Sequence, residues 1–358
     1  MQEENLQTLL MNITLPDETA RMAARDHWSA CAKPLGGLGI LETMVEEMAA
    51  LTGCADVCLQ NRALLVLCAD NGVVAEGVSQ TGSEVTAVVA RQLAAGNSTA
   101  CRMAAVARCA VVPVDMGILN PPSLPGVLKA RVANGTGNIV RGPAMTREQA
   151  ARAVLTGIEL VRNQQKAGMQ LLAAGEMGIG NTTTATAVTC ALLGLDPAEV
   201  TGRGAGLSDA GLSRKIRAIQ KALSVNAPDP ADPLDVLSKV GGVDIAGLCG
   251  LFLGGALYGV PVLMDGVITA AAALCAVRLC PAADKAVFAS HCSAEPCGER
   301  LLKALHKQPL ITAGMHLGEG TGALAAMPLL DMALAVYHGS TFADYGMQAY
   351  TPQGGDSC

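Results

Sequence analysis

Along the chain one pattern of apolar and polar positions recurs: a short continuous apolar run, a polar or glycine-bearing turn, then a longer alanine-rich stretch of helical character. "ALLVLCADNGVV" carries a run that ends at Asp70, and "CAVVPVDMGI" one that ends at Asp115. "MQLLAAGEMGIGN" leads into a helix from about Thr182, "VPVLMDG" into "VITAAAALCAV", "KAVFASHCSAE" into "PCGERLLKALHK", and "PLITAGMHLGEG" into "TGALAAMPLLDMALAVY". Apolar runs that do not alternate with polar residues mark strands buried on both faces, and the intervening helices make a parallel sheet the simplest arrangement. The pattern predicts an α/β fold. Ligands of such sheets sit beyond the carboxyl ends of the strands, where Asp70, Asp115, Glu176, Asp265, His291 and Glu319 all fall.

Both ends lie outside this rhythm. The first 60 or so residues read as helices with a turn at "KPLGGLG", and "ILETMVEEMAALTG" closes at Gly53 as helices often do. "STFADYGMQAYTPQGGDSC" loses periodicity and is expected to fray at its tip. The expected organisation is a helical unit over residues 1–60, an α/β domain over 61–337, and a C-terminal segment over 338–358 that packs on the helical unit. Between the second run and the third, a Pro- and Gly-rich surface excursion ends in a helix start at Thr146, with Glu148 one residue short of capping-box register.

Composition narrows the function classes. Of 358 residues 51% are apolar but only 2% aromatic, so the core is aliphatic and platforms for stacking bases are missing. The formal charge of -6 and the lack of any large basic patch likewise argue against nucleic acid as a partner. Residues 245–264 are apolar enough to suggest a membrane span, yet they are Gly-rich, hold Pro261 and lack basic flanks; a buried helix followed by a buried strand is expected. Thirteen irregularly spaced cysteines and the polar start "MQEENLQ" point to a reducing cytoplasm. A zinc reading of His291, Cys292 and Cys297 lacks tight ligand pairs and a fourth partner, and Cys54 and Cys58 read as small residues on one helix.

"GEMGIGNTTTATAV" is the stretch richest in candidate chemistry. Gly178 and Gly180 permit close backbone approach, Asn181 and Thr182 are placed to cap the helix that follows, and its free N–H groups attract an anion. No Lys follows the glycines, and the dinucleotide fingerprint is absent. Glu176 beside a phosphate would repel it, so it is expected to accept hydrogen bonds from sugar hydroxyls or to hold an amide. Phosphate plus ribose is a coherent ligand; a ligand-free glycine turn is the alternative.

Seven segments, "KPLGGLGILE", "ADNGVVAEGVSQTGSEVTA", "GEMGIGNTTTA", "GGVDIAGLCG", "PVLMDGVITAAAAL", "SHCSAE" and "LGEGTGA", resemble in the same order those of nicotinate-nucleotide:dimethylbenzimidazole phosphoribosyltransferases. The resemblance runs from about Lys33 to Tyr345. It implies a Rossmann-like larger domain, a small helical domain built from both chain ends, a homodimer, and no metal or organic cofactor. It also implies transfer of phosphoribose from nicotinate mononucleotide to 5,6-dimethylbenzimidazole or a related base, giving α-ribazole phosphate and nicotinate in assembly of the cobalamin nucleotide loop.

In that chemistry nicotinate departs from a pyridinium without needing a proton, whereas the attacking imidazole nitrogen becomes cationic unless its partner N–H loses one, so a single general base suffices. Glu319, between Gly318 and Gly320, matches the family's proton acceptor, and an aliphatic setting would raise its pKa. By the same resemblance Lys215 stands near the phosphate, Ser79 and Thr86 line the base pocket, and Ser290, His291, Ser293 and Glu295 form a structural run. Gly204 and Gly206 read as a turn. Two departures stand out: Asn71 where many members have His, and His316 where many have Arg, which pairs with an anion only when protonated. Dimethylbenzimidazole, benzimidazole, adenine or a phenol remains open as the acceptor. A non-catalytic nucleotide-binding protein and a nucleosidase are the alternatives.

Overall fold

Uninterrupted runs such as Ala63 to Ala69 have no polar face to give to water, so they form strands only where both sides are covered. The computed structural model, which describes residues 2–351, has one parallel sheet of six strands: β1 (Arg62–Ala69), β2 (Ala110–Gly117), β3 (Leu128–Lys129), β4 (Leu171–Met177), β5 (Val262–Met264) and β6 (Val287–Ala289). Their order is β3-β2-β1-β4-β5-β6. This doubly wound order reverses direction between β1 and β4, and the crevice at that reversal is where such sheets bind ligands. Every residue of β1 is buried.

Five strands lie on runs visible in the sequence. "PLITAG" is not a strand: Ile311 makes only an isolated bridge to His291, and the segment then becomes a loop. The Pro- and Gly-rich excursion hides β3, a two-residue exposed edge strand too short to show periodicity. The helix Arg147–Lys166 does open on a capping box at Thr146, but its partner is Gln149. The Thr146 hydroxyl accepts from the Gln149 N–H at 3.1 Å, and the Gln149 side chain accepts from the Thr146 N–H at 2.9 Å. Cys54 and Cys58 lie beyond the helix Ile40–Thr52, which ends at Gly53 in the left-handed region with φ 69°.

The stretch 245–264 is a buried helix, Val243–Tyr258, followed by β5. No described helix is long and apolar enough to cross a membrane. The two ends meet: Ala32 N–H donates to Ser340 O at 3.0 Å, Phe342 N–H to Ala30 O at 3.0 Å, and Tyr337 packs edge-on against Trp28. One continuous apolar cluster runs from Leu6 and Trp28 through the sheet to Tyr337. Residues 352–358, the expected frayed tip, lie outside the described residues.

Candidate active site

A cleft opens at the carboxyl ends of β4, β5 and β6, and its floor begins with Glu176 on β4. The turn after β4 keeps close company with its surroundings: a Cβ at Gly178 would lie 2.9 Å from Asp244 Oδ2, and Gly180 has φ 91°. Glycine is required at both. The helix Asn181–Leu193 takes Gly180 as its N-cap, with no side-chain cap, so Asn181 and Thr182 do not play the capping part expected of them. Asn181 instead turns its carboxamide to two acids, donating to Glu176 Oε2 and to Asp244 Oδ2, the latter at 3.1 Å. Burial, reinforced by Asp244 and Asp265, pushes the Glu176 carboxyl up to about 8 against the pull of Asn181 and the Glu319 backbone. Burial pushes Asp244 up to about 6.

The Thr182 hydroxyl accepts from Lys215 Nζ at 2.8 Å, and Gly202 O accepts from the same nitrogen at 3.0 Å. Lys215 is fully buried, and burial lowers its pKa to about 8 despite the nearby Glu295 charge. It stands one layer behind the cleft wall. Glu295 Oε1 accepts from Gly204 N–H at 3.0 Å, so Lys215 and Glu295 together fasten residues 201–207. Gly204 and Gly206, with φ 54° and 95°, are thus more than a turn: their loop walls the cleft, and Gln80 reaches across to Ala205 O at 3.0 Å. Arg203 of this loop also lines the cleft.

Opposite, Gly318, Glu319 and Gly320 are all left-handed, with φ 88°, 57° and 80°. A glutamate in that region is strained and persists only where its surroundings hold it. Asp265 does the holding: its carboxylate accepts from Gly322 N–H at 2.7 Å, Gly320 N–H at 3.2 Å and Ala323 N–H at 3.4 Å, capping the helix Thr321–Tyr337. Burial raises the Glu319 pKa, Ala100 and Ser98 oppose it, and Asp265 adds to it; Glu319 Oε2 is buried without a hydrogen-bond partner. Ser290 donates to Met264 O at 2.5 Å, so at 3.1 Å His291 Nδ1 is the donor to Ser290 Oγ. His291 Nδ1 also lies 3.9 Å from Asp265 Oδ1.

The structure brings Ser79, Glu176, Gly178, Gly180, Asn181, Thr182, His316, Gly318 and Glu319 to one cleft. Gly320, Lys215 and Thr86 do not line it. Thr86 is buried behind the wall, where its hydroxyl accepts from Ile179 N–H at 3.1 Å and supports Asp70. His316 is exposed at the rim, its Nδ1 3.1 Å from Gly314 O. Asn71 is buried and accepts from the Thr184 hydroxyl at 3.2 Å. Among the described residues no three His, Cys, Asp or Glu side chains gather as a metal site. Sequence reasoning passed over Asp244, whose one signal is an acid at the head of an otherwise apolar helix.

A phosphoribosyltransferase family model matches residues 13–347. A protein of Ruminiclostridium cellulolyticum named nicotinate-nucleotide–dimethylbenzimidazole phosphoribosyltransferase is 44% identical over 89% of this chain and 91% of its own. One of the same name from Escherichia coli is 40% identical over 94% of each chain. The crystal structure of CobT from Thermus thermophilus superposes with a TM-score of 0.87 at 42% identity, covering 92% of this chain and 99% of that one.

Proposed function

The chain belongs to the nicotinate-nucleotide–dimethylbenzimidazole phosphoribosyltransferase family, and from this premise we propose that it transfers phosphoribose from nicotinate mononucleotide to a benzimidazole-type base in assembly of the cobalamin nucleotide loop. The observation that carries the reading to this chain's own residues is the convergence of Glu319 with the Glu176–Thr182 turn at one cleft. The nucleotide's phosphate is placed at the N-terminal end of the Asn181–Leu193 helix, with Lys215 behind it, and its ribose against Glu176. The base nitrogen attacks C1′ as the bond to the pyridinium nitrogen breaks; nicotinate leaves with that electron pair. The proton on the base's second nitrogen passes to Glu319, whose raised pKa suits an acceptor.

Residues 1–60 with those from 338 onward are assigned to one small helical unit, and the active form to a homodimer in the cytoplasm. Every described cysteine is a free thiol, which suits a reducing compartment. The test is nicotinate release from nicotinate mononucleotide, with chromatography of products formed with dimethylbenzimidazole, adenine or p-cresol. A ribosylated base is expected, and Glu319→Gln is expected to lower kcat by about 100-fold or more. Release that proceeds equally well without any base would make the protein a nucleosidase, and no release would leave a nucleotide-binding protein.

A further inference from the structure

We infer that Asp244, which shares the Asn181 carboxamide with Glu176, is a positioning residue whose negative charge keeps Glu176 in its neutral, proton-bearing form, so that Glu176 meets the nucleotide as a hydrogen-bond donor. The inference rests on the phosphoribosyl-transfer reading and names a residue that does not touch the cleft.

The geometry begins at one nitrogen. Asn181 Nδ2 has two hydrogens, and an acid takes each: Glu176 Oε2 and Asp244 Oδ2. Two carboxyl groups therefore stand no farther apart than two hydrogen-bond lengths, and both are buried. Among the described residues no cation faces them. Glu176 is faced by Asp244 from the helix Val243–Tyr258, by Asp265 from the end of β5, by the Glu319 backbone N–H from the loop before the Thr321–Tyr337 helix, and by the Cys68 thiol from β1. Asp244 is faced by Glu176 and by Asp70 at the end of β1, and its Oδ1 has no hydrogen-bond partner. The nearby basic side chains are engaged elsewhere: Lys215 on Thr182 and Gly202, and His291 beyond Asp265.

Two buried acids this close, without a counter-ion, do not both ionise. The one left protonated is the one harder to ionise, and that is Glu176. It is also the one that lines the cleft, with Oε1 turned toward the glycine at 318, where a Cβ would come within 2.7 Å of it. A carboxylic acid kept neutral by an apolar, like-charged setting is a donor. The consequence for the ligand is direct. A carboxylate at the floor would repel a phosphate-bearing substrate, whereas a neutral acid offers its O–H to an oxygen of the phosphoribosyl group.

The experiment measures nicotinate mononucleotide binding by calorimetry, and kcat/KM in the presence of dimethylbenzimidazole, from pH 6 to 9.5 for the wild type, Glu176→Gln, Glu176→Ala and Asp244→Asn. Wild-type affinity is expected to fall on the alkaline side as Glu176 ionises and as Lys215, also lowered to about 8, loses its charge. Glu176→Gln, which cannot ionise and still donates, is expected to lose the Glu176 share of that fall while keeping the Lys215 share, and to stay at least about tenfold above Glu176→Ala in kcat/KM. Asp244→Asn removes the negative neighbour, makes Glu176 easier to ionise, and should move the fall to lower pH.

Glu176→Gln as weak as Glu176→Ala, or a folded Asp244→Asn with an unmoved profile, overturns the inference. If Asp244→Asn does not fold, the two Glu176 variants decide it. A wild type that binds the nucleotide with this pH dependence yet ribosylates no base would sink the functional reading and leave this one standing.

Discussion

At the scale of single residues, the site is built from groups held in forms they would not adopt in water. Glu176 is the clearest case, and it makes a stability prediction separate from its role toward a ligand. Its folded pKa of about 8 lies above the ordinary glutamate value of 4.5, so between those values the native state keeps a proton that the unfolded chain has released. Stability attributable to this group therefore falls as pH rises from about 4.5 to 8, and the penalty is complete above 8. Glu176→Gln removes it: urea unfolding at about pH 8.5 should show a gain of roughly 2–4 kcal/mol over the wild type, and at about pH 4 no gain.

Much of the lining of the candidate cleft was legible because glycines and acids in "GEMGIGN" and "LGEGTGA" stand out from an aliphatic background. Their partners were not. That Asn181 turns away from its helix end toward Asp244, 63 residues on, depends on a contact with no local signature. The same holds for Lys215, whose full burial on Thr182 and Gly202 leaves no mark in its own helix.

At the scale of elements, strands and helices follow the apolar runs closely because both faces of the sheet are covered and every run must be continuous. What periodicity does not disclose is how closely two helices approach. The helices Arg147–Lys166 and Val243–Tyr258 cross at Gly157 and Gly250: a Cβ on Gly157 would lie 2.8 Å from the Gly250 Cα, and one on Gly250 2.9 Å from the Gly157 Cα. The obstacle is backbone, which no rotamer change relieves. Gly157→Ala, favourable by helix propensity alone, is thus expected to destabilise the protein by about 1–3 kcal/mol, read as a lower urea midpoint with unchanged slope. A midpoint at or above that of the wild type would mean the helices separate freely. The second helix carries Asp244 in its first turn, so this packing also sets where that acid stands.

At the scale of the whole molecule, strand order was not readable, since pairing β1 with β4 joins segments more than 100 residues apart and leaves no trace in either. The N-terminal end was readable as helices, and the open question the two ends raise is whether they fold apart from the sheet. The helix Thr321–Tyr337 answers structurally. Its first turn is capped by Asp265 beside Glu319, and its last residue, Tyr337, packs against Trp28 at 4.7 Å between ring centroids and donates to Ala55 O at 2.7 Å. Asp331 on the same helix binds Arg62 at the start of β1 at 2.6 Å. One helix about 25 Å long thus joins the cleft, the sheet and the helical end region, and the apolar core is continuous across all three. A unit sharing its core in this way has no separate transition of its own. Trp28 is the chain's single tryptophan and is buried in the end region, so its fluorescence reports that region while far-ultraviolet circular dichroism reports the whole. The two urea unfolding curves should superimpose. A fluorescence transition at clearly lower urea would show instead that the helical ends melt first, and that the site's loop at Glu319 is supported from the sheet alone.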